Sequence, residues 1–459
     1  MEQQACITGA RVARAAVGLA LLAPSAAELA SGFQLNENST SGLGTAFASG
    51  AAAAEDATTL WSNAAGISRL RSTQAAGALH LVKPSIKFGD QGSAAALGQP
   101  LGGNGGDAGG VNIVPNVYAV MPINAQWSAG IGINAPWGLV TEYDDGWVGR
   151  FQALKSSIKT VNINPAVSWK PADNLAVGLG LNFQRIDAEF TNQVNYTAAI
   201  LQAAGVAGIP VNPVNVAGLE TRERVQGSDN GWGWNAGLLF DLDANSRVGV
   251  SYRSPIKFKI AGNATFQNPA APLAPAPLVA AVNAQLADTA ITSEVKLPAI
   301  VNLSYFRTLN AQWDVLADAQ WTGWSSIKDL TFVRSNGTVL QTTPENFKDT
   351  WKFALGAHYR LDANWTLRAG VALDKSPVQT DFRTPRLPDA DRTWLTGGAQ
   401  YKVNPQMTLD FAAGYIWVKD ASIDSNRSGA AAATAAFGRL RGSYDANVVL
   451  LSGQFTYTF

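Results

Sequence analysis

Two histidines, His80 and His358, and a single cysteine, Cys6, are all that 459 residues offer of the side chains most often used for nucleophilic or metal chemistry. A Ser–His relay needs a histidine beside a nucleophile and a third group to orient it. A structural zinc or iron–sulfur centre needs several thiolates or imidazoles. No Gly-x-Ser-x-Gly elbow, His-Glu-x-x-His pair or Walker loop is present. Both histidines fall in runs that read as strands, where a polar lining role fits them better than a basic one. No catalytic residue, metal or cofactor is therefore expected, and the chain reads as a non-enzyme. What remains is charge chemistry. A carboxylate ligand needs a buried basic partner, and Arg185, Lys328 and Arg253, with Lys257 and Lys259, are the basic residues that could supply one.

Composition narrows the class. Lys plus Arg (34) equals Asp plus Glu (34), charged residues are 15%, and hydrophobic residues are 47% beside 44 Gly, 21 Pro and 14 Trp. Zero net charge argues against a nucleic-acid partner, and the apolar content argues against disorder. The N-terminus supplies a reason for the low charge. Arg11 and Arg14 precede an apolar run from Ala15 to Ala23, followed by Pro24, Ser25, Ala26 and Ala27. A basic stretch, a short apolar core and small residues make a secretory signal peptide, expected over residues 1–30 with cleavage after Ala27 or Ala30. Its removal takes Cys6 with it.

The rest of the chain alternates with period two. Trp351, Phe353, Leu355, Ala357 and Tyr359 alternate with Lys352, Ala354, Gly356, His358 and Arg360, and Val248, Val250, Tyr252, Ile256 and Phe258 face away from Arg247, Ser251, Arg253 and Lys257. Such strands also occur in soluble sandwiches. Their number, their terminal aromatics and the secretion signal point instead to a transmembrane β-barrel, in which closure pairs every backbone group. Six short Asn- or Asp-containing turns alternate with seven long connections, which gives fourteen antiparallel strands. Val449, Leu451, Phe455, Tyr457 and Phe459 share one face of the last strand, which resembles the assembly signal of bacterial outer-membrane barrels.

The first convincing strand starts near Gln74, and residues 31–73 are rich in Gly, Ala, Ser and Asn. A fourteen-strand lumen needs filling, so this segment reads as a hatch within the barrel of residues 74–459, with a periplasmic tail as the alternative.

Ser31-Gly32-Phe33-Gln34-Leu35-Asn36-Glu37 and Ser41-Gly42-Leu43-Gly44 resemble the mature start of the FadL-type outer-membrane long-chain fatty acid transporters. Gly233-Trp234-Asn235-Ala236-Gly237, Tyr252-Arg253-Ser254, Phe347-Lys348-Asp349 and Pro388-Asp389-Ala390-Asp391-Arg392 continue the likeness in order. The resemblance implies an all-β, fourteen-stranded barrel with an N-terminal hatch in the bacterial outer membrane. It also implies passive uptake of long-chain fatty acids or similar molecules, hatch rearrangement, and lateral exit at a kinked third strand. Aromatic hydrocarbon uptake is the alternative within the family; a hydrophilic porin or an outer-membrane enzyme is the alternative outside it.

Each part has a candidate here. An apolar groove is expected between connections near 192–230 and 262–293, carried by Ile200, Leu201, Val206, Leu278, Val282 and Leu286, unless these simply cap the barrel. The kink is placed at Pro136 and Gly138, where an ordinary strand end is the plainer reading. The resemblance assigns a hatch–wall network to Asn63, Asp349 and Arg392, although the family's Asn-Pro-Ala reads Asn63-Ala64-Ala65 here. A rim salt bridge is the plainer alternative. Phe33 is expected either to meet the ligand or to pack the hatch. At the two positions where the family carries a basic head-group partner, this chain has Asn192 and Thr331. Expected partners are a hydrophobic small molecule, lipopolysaccharide and the barrel-assembly machinery around a monomer, with no nucleic acid.

Overall fold

The structure is a computed structural model that describes residues 32–48, 50–425 and 435–459. The expected signal peptide lies outside the described residues. Twenty strand segments form one antiparallel sheet, and they make fourteen wall strands because six of those are broken once. The strands are β1 (Gln74–Asp90), β2 (Asn112–Pro122), β3 (Trp127–Asn134, then Gly138–Glu142), β4 (Lys155–Ala172), β5 (Leu175–Asn195) and β6 (Glu220–Asp241). They continue as β7 (Ser246–Arg253, then Ile256–Gln267), β8 (Thr289–Leu297, then Ile300–Thr308), β9 (Trp313–Thr322, then Asp329–Arg334) and β10 (Val339–Pro344, then Thr350–Arg360). The last four are β11 (Trp365–Asp374), β12 (Arg392–Lys402), β13 (Met407–Val418, then Ala421–Ser425) and β14 (Leu440–Thr458). β14 pairs with β1 from Gln74↔Thr458 to Asp90↔Gly442, so the sheet closes and leaves no edge for lipid to meet.

Alternation places the faces. Along β5, Ala176, Gly178, Gly180 and Asn182 point inward and are buried, whereas Leu179 and Leu181 point outward and are more than half exposed. Outward leucines face hydrocarbon, which is their solvent here. Aromatic pairs mark the ends of this band: Trp127–Trp169, Trp313–Tyr359 and Trp365–Tyr401 at the short-turn end, and Phe183–Trp232 and Tyr415–Trp417 at the other. The short turns share one device. Asn124, Asn310, Asp362 and Asn404 each accept two backbone N–H bonds, from the residues two and three positions on.

The long connections are shorter than the sequence indicates, because the strands run on past the lipid band. Between β5 and β6 the loop is 196–219, and between β7 and β8 it is 268–288. The stretch 333–350 is mostly a hairpin (Asp329–Arg334 against Val339–Pro344), stabilised by cross-strand pairs that its irregular pattern does not advertise.

Residues 32–73 fill the lumen with two single-turn helices, α1 (Thr40–Leu43) and α2 (Thr59–Ser62), and a 3-10 turn over Ala64–Arg69. Inward glycines let this hatch approach the wall backbone. A Cβ at Gly249 would stand 1.9 Å from the Ala51 carbonyl oxygen, and one at Gly237 would stand 1.9 Å from Asn63 Oδ1. Gly249→Val should therefore leave the barrel folded, read as heat-shifted migration on a gel, while displacing the hatch. Planar-bilayer recordings should show a steady ion leak that the parent chain lacks; equal conductance would remove the close-packing role.

Candidate functional site

The site begins where β3 breaks. Pro136 has no N–H to donate, and Ala135, Pro136 and Trp137 interrupt the ladder. β2 pairs with β3 only from Pro122↔Ser128 to Val117↔Ile133, so Asn112–Asn116 of β2 have no β3 partner. The hatch occupies that vacancy. Leu35 N–H donates to the Pro136 carbonyl at 2.9 Å, and Gly138 N–H donates to the Phe33 carbonyl at 2.8 Å. The Leu35 side chain packs between Val114 of β2 and Ala135 of β3. Asn116 Nδ2 donates to the Glu37 carbonyl (2.7 Å), and Tyr118 Oη donates to the Asn38 carbonyl (3.0 Å). Residues 33–38 thus complete the wall from inside, with an isolated bridge at Gln34↔Trp137.

Phe33, two residues before Leu35, ends in an apolar cavity walled by Ile158, Ile186, Phe190, Val225, Ile291 and Phe332. The free space is about 30 Å³, room for about one water. Phe33 is itself one of the residues that line this cavity, at the end next to the hatch. Its ring also meets Trp137 and Trp324 edge-on, at centroid distances of 5.9 and 5.0 Å, and Trp324 in turn meets Phe347 at 5.9 Å.

Arg386 stands at the rim of that cavity. It comes from the 375–391 connection, which folds into the barrel mouth. The residue is 4% exposed, and its guanidinium lies 5.3 Å from the centre of the Phe190 ring. It donates to Asn192 Oδ1 at 3.0 Å and, more weakly, to Ser156 Oγ at 3.4 Å. Asn192 Nδ2 donates to Glu223 at 3.0 Å. Asn192, one of the two sequence departures, is thus the residue that holds this arginine. Thr331, the other, bonds Asp329 and Thr342 and points away from the cavity that its neighbours Leu330 and Phe332 line. In the same connection, burial lowers the Arg383 guanidinium from its ordinary value against the opposing pull of Asp389.

Below the cavity the lumen turns polar. Asn38, Asn134, Asn162, Asn182, Asn235 and Asn164 form a chain of side-chain hydrogen bonds around β3 to β6. Arg253 joins it through Asn182, donates to the Trp61 carbonyl at 2.8 Å, and stacks 3.4 Å over the Trp61 ring. Deeper still, Arg368 bonds Glu55 of the hatch at 2.8 Å and also Asp410, and His358 lies 3.2 Å from Glu55.

The structure does not bring Asn63, Asp349 and Arg392 together. Asn63 does tie hatch to wall, donating to the Ala51 and Leu238 carbonyls at 2.8 and 2.9 Å and accepting from Ala65 N–H. Asp349 accepts from Ser325 N–H at an exposed site. Arg392 pairs with Asp389 instead, and Asp389 accepts from Gly32 N–H (2.9 Å) and Ser376 Oγ (2.7 Å). The correction is one of loop geometry: Asp389 is three residues before Arg392 along the same stretch of chain, while Asp349 lies two strands away, three residues beyond the Lys352↔Asp374↔Arg392 row. Arg185 points outward and pairs with Asp187, and Lys328 is exposed; neither reaches the cavity. Ile200, Leu278 and Val282 are buried between two helices, α3 (Tyr196–Ala207) and α4 (Ala276–Gln285), with Leu201 and Leu286 partly buried beside them. Val206 alone of the six is open, at 86% exposure. These residues form a sealed helix pair rather than an open groove.

Sequence reasoning missed Arg386, Asp389, Glu55, Arg368 and Leu35. For Leu35 and Glu55 the hatch has no strand pattern to read, and for Arg386 the only signal was its place within Pro385-Arg386-Leu387-Pro388.

Comparison with known proteins places this architecture. Residues 20–459 match the family described as outer membrane protein transport protein (OMPP1/FadL/TodX). The long-chain fatty acid transport protein of Escherichia coli O6:H1 is 31% identical over 417 residues, covering 87% of this chain and 90% of that one. A solved FadL homologue from Pseudomonas aeruginosa superposes with a TM-score of 0.84 at 25% identity, over 93% of this chain and 100% of the other. The toluene transporter TodX of P. putida shares the fold, with a TM-score of 0.64 at 17% identity over 88% and 94% of the two chains.

The deepest ion pairs yield a test. Arg368→Met strands Asp410 and Glu55 without their partner, at a cost of about 3–5 kcal/mol. Limited proteolysis of the folded barrel should then cut within residues 32–73 faster than in the parent. Unaltered protection would show that the neutral hydrogen bonds alone hold the hatch.

Proposed function

The chain belongs to the OMPP1/FadL/TodX family of outer-membrane transport proteins, and from that premise we propose that it admits long-chain fatty acids passively across the outer membrane. The observation that carries this reading is the apolar cavity with Arg386 at its rim. The lining of the first suits an acyl tail once Phe33 gives way, and the second suits a carboxylate through charge-assisted hydrogen bonds. The printed names of the relatives agree, since several are called long-chain fatty acid transport proteins. The alternative, an aromatic hydrocarbon, draws on the ring cluster of Phe33, Trp137, Trp324 and Phe347, which could stack a neutral arene without any charge.

The route follows from what the ligand must displace. A tail in the cavity competes with Phe33. Phe33 and Leu35 lie on one extended segment held by two backbone bonds, so expelling the first draws the second from between Val114 and Ala135. Their departure opens the β2–β3 wall toward the membrane. The amide belt and ion pairs below disfavour an axial path for hydrocarbon, because those groups would have to be desolvated. Lipopolysaccharide around the rim and the barrel-assembly machinery at the final strand complete the proposed partners of a monomer.

Uptake of labelled oleate by cells lacking their own transporter tests the reading. Arg386→Met should lower oleate uptake about 10-fold, the equivalent of one charged hydrogen bond, and leave toluene uptake unchanged. Equal loss of both would remove the head-group role, and toluene uptake without oleate uptake in the parent would favour the arene. For the exit, Leu35→Cys with Val114→Cys should block uptake when oxidised and restore it on reduction. Normal uptake by the oxidised pair would point to an axial route.

A further inference from the structure

A second weak line runs through the wall between β6 and β7, the third and fourth strands on from β3. β6 and β7 pair from Asp241↔Arg247 up to Asn235↔Arg253 and again from Ser228↔Ala261 to Arg222↔Gln267. Between these ladders, Asp229–Trp234 face Ser254–Ile260 without a ladder pair. Pro255 has no N–H, and the facing stretches differ by one residue. One backbone bond, Ser254 N–H to the Trp234 carbonyl at 2.9 Å, closes the lower end of the stretch, and side chains supply further bonds: Lys259 N–H donates to Asp229 Oδ2 at 2.6 Å, and Trp234 N–H donates to Ser254 Oγ at 2.9 Å.

The two faces of the wall meet just above this line. Inside is the apolar cavity, lined here by Ala188, Gly227 and Ile260. Outside is a crevice of about 430 Å³, bounded by Lys159, Asp187, Glu189, Ser228 and Asn263. Ala188 and Gly227 line both, so no large side chain separates cavity from crevice. The crevice lies four residues above Phe183↔Trp232, the aromatic pair at the edge of the lipid band, through Arg185↔Asn230 to Asp187↔Ser228. Its acids are engaged: Asp187 by Arg185, and Glu189 by Arg224 and Lys155. Lys159 lines the crevice, and Lys257 and Lys259 follow on the outward side of β7; Lys257 is paired with Glu294 at 3.1 Å, so Lys159 and Lys259 carry the positive charge of the approach.

We propose that the β6–β7 seam is a second lateral passage, through which a single-chain anionic amphiphile already in the membrane reaches the apolar cavity. The cations receive its head at the interface, and the tail passes through the unpaired stretch just below the Ala188↔Gly227 and Gly227↔Gly262 pairs, where Ile260 lines the cavity. This inference rests on the reading of the cavity as the ligand site. The β2–β3 gap then serves as the exit, and the two openings lie on either side of Phe33.

The residues from 32 onward contain no cysteine, so one disulfide can be installed cleanly. A Cβ at Gly231 would lie 2.5 Å from Ile256 Cγ2, close enough for Gly231→Cys with Ile256→Cys to bridge the seam. The mature chain in lipid nanodiscs would be challenged with spin-labelled stearate, either dissolved in the bilayer or delivered from albumin in solution. Arrival is read as paramagnetic quenching of the 19F resonance of 5-fluorotryptophan at buried Trp324, assigned apart from the resonances of the lipid-facing tryptophans. The oxidised pair should slow arrival from the bilayer at least 10-fold, leave arrival from albumin unchanged, and recover on reduction. Ser228→Tyr, which fills the crevice from outside, should slow the bilayer route in the same way. An unchanged bilayer rate in the oxidised pair and in Ser228→Tyr overturns the passage while keeping the cavity. No quenching by either route in the parent chain overturns the cavity reading and the passage with it.

Discussion

Hydrocarbon offers no hydrogen bonds, so every backbone N–H and C=O of a wall that crosses a membrane must find a partner in the protein. Most of this structure follows from that. The β1–β14 closure, the continuous ladders and the outward leucines satisfy it by repetition. The departures carry the function proposed here. At β3, Pro136 breaks the ladder, and the wall is completed by the backbone of Phe33 and Leu35 from a segment that is not one of the wall strands. That partner is held by two backbone hydrogen bonds, Leu35 and the side-chain bonds of Asn116 and Tyr118 rather than by a continuous ladder, which is what the proposed movement requires.

The hatch is consequently held unequally. Toward β11 and β13 it is fixed by Glu55, Arg368 and Asp410, with His358 of β10 beside them. Toward β2 and β3 it is fixed by amides, a tyrosine and backbone carbonyls, each bond worth about 1 kcal/mol net. Movement confined to the second side would open the gap without unfolding the plug. The proposed coupling rests on the extended geometry of residues 33–35, which sets Phe33 at the apolar cavity and Leu35 in the gap.

Much of this was legible in the sequence because a strand reports its faces with period two. The alternation at Trp351–Leu361 and the Asn- and Asp-bearing turns gave the fourteen strands that the structure has. Pro136 and Gly138 marked the kink, although not that β3 resumes at Gly138. Periodicity says nothing about which loop residues meet across the barrel mouth. That is why Arg392 was matched to Asp349 when its partner is Asp389, and why Arg386 escaped notice while exposed Lys328 and outward-facing Arg185 did not. The apolar loops were read correctly as apolar, but their strands extend further, and the two helices seal against each other.

A crystal structure of the protein with oleate bound would test the central coupling most directly. The account predicts the acyl chain in the space now held by Phe33, its carboxylate on Arg386, and Leu35 withdrawn from between Val114 and Ala135. Oleate seated in that cavity with Leu35 N–H still bonded to the Pro136 carbonyl would contradict it.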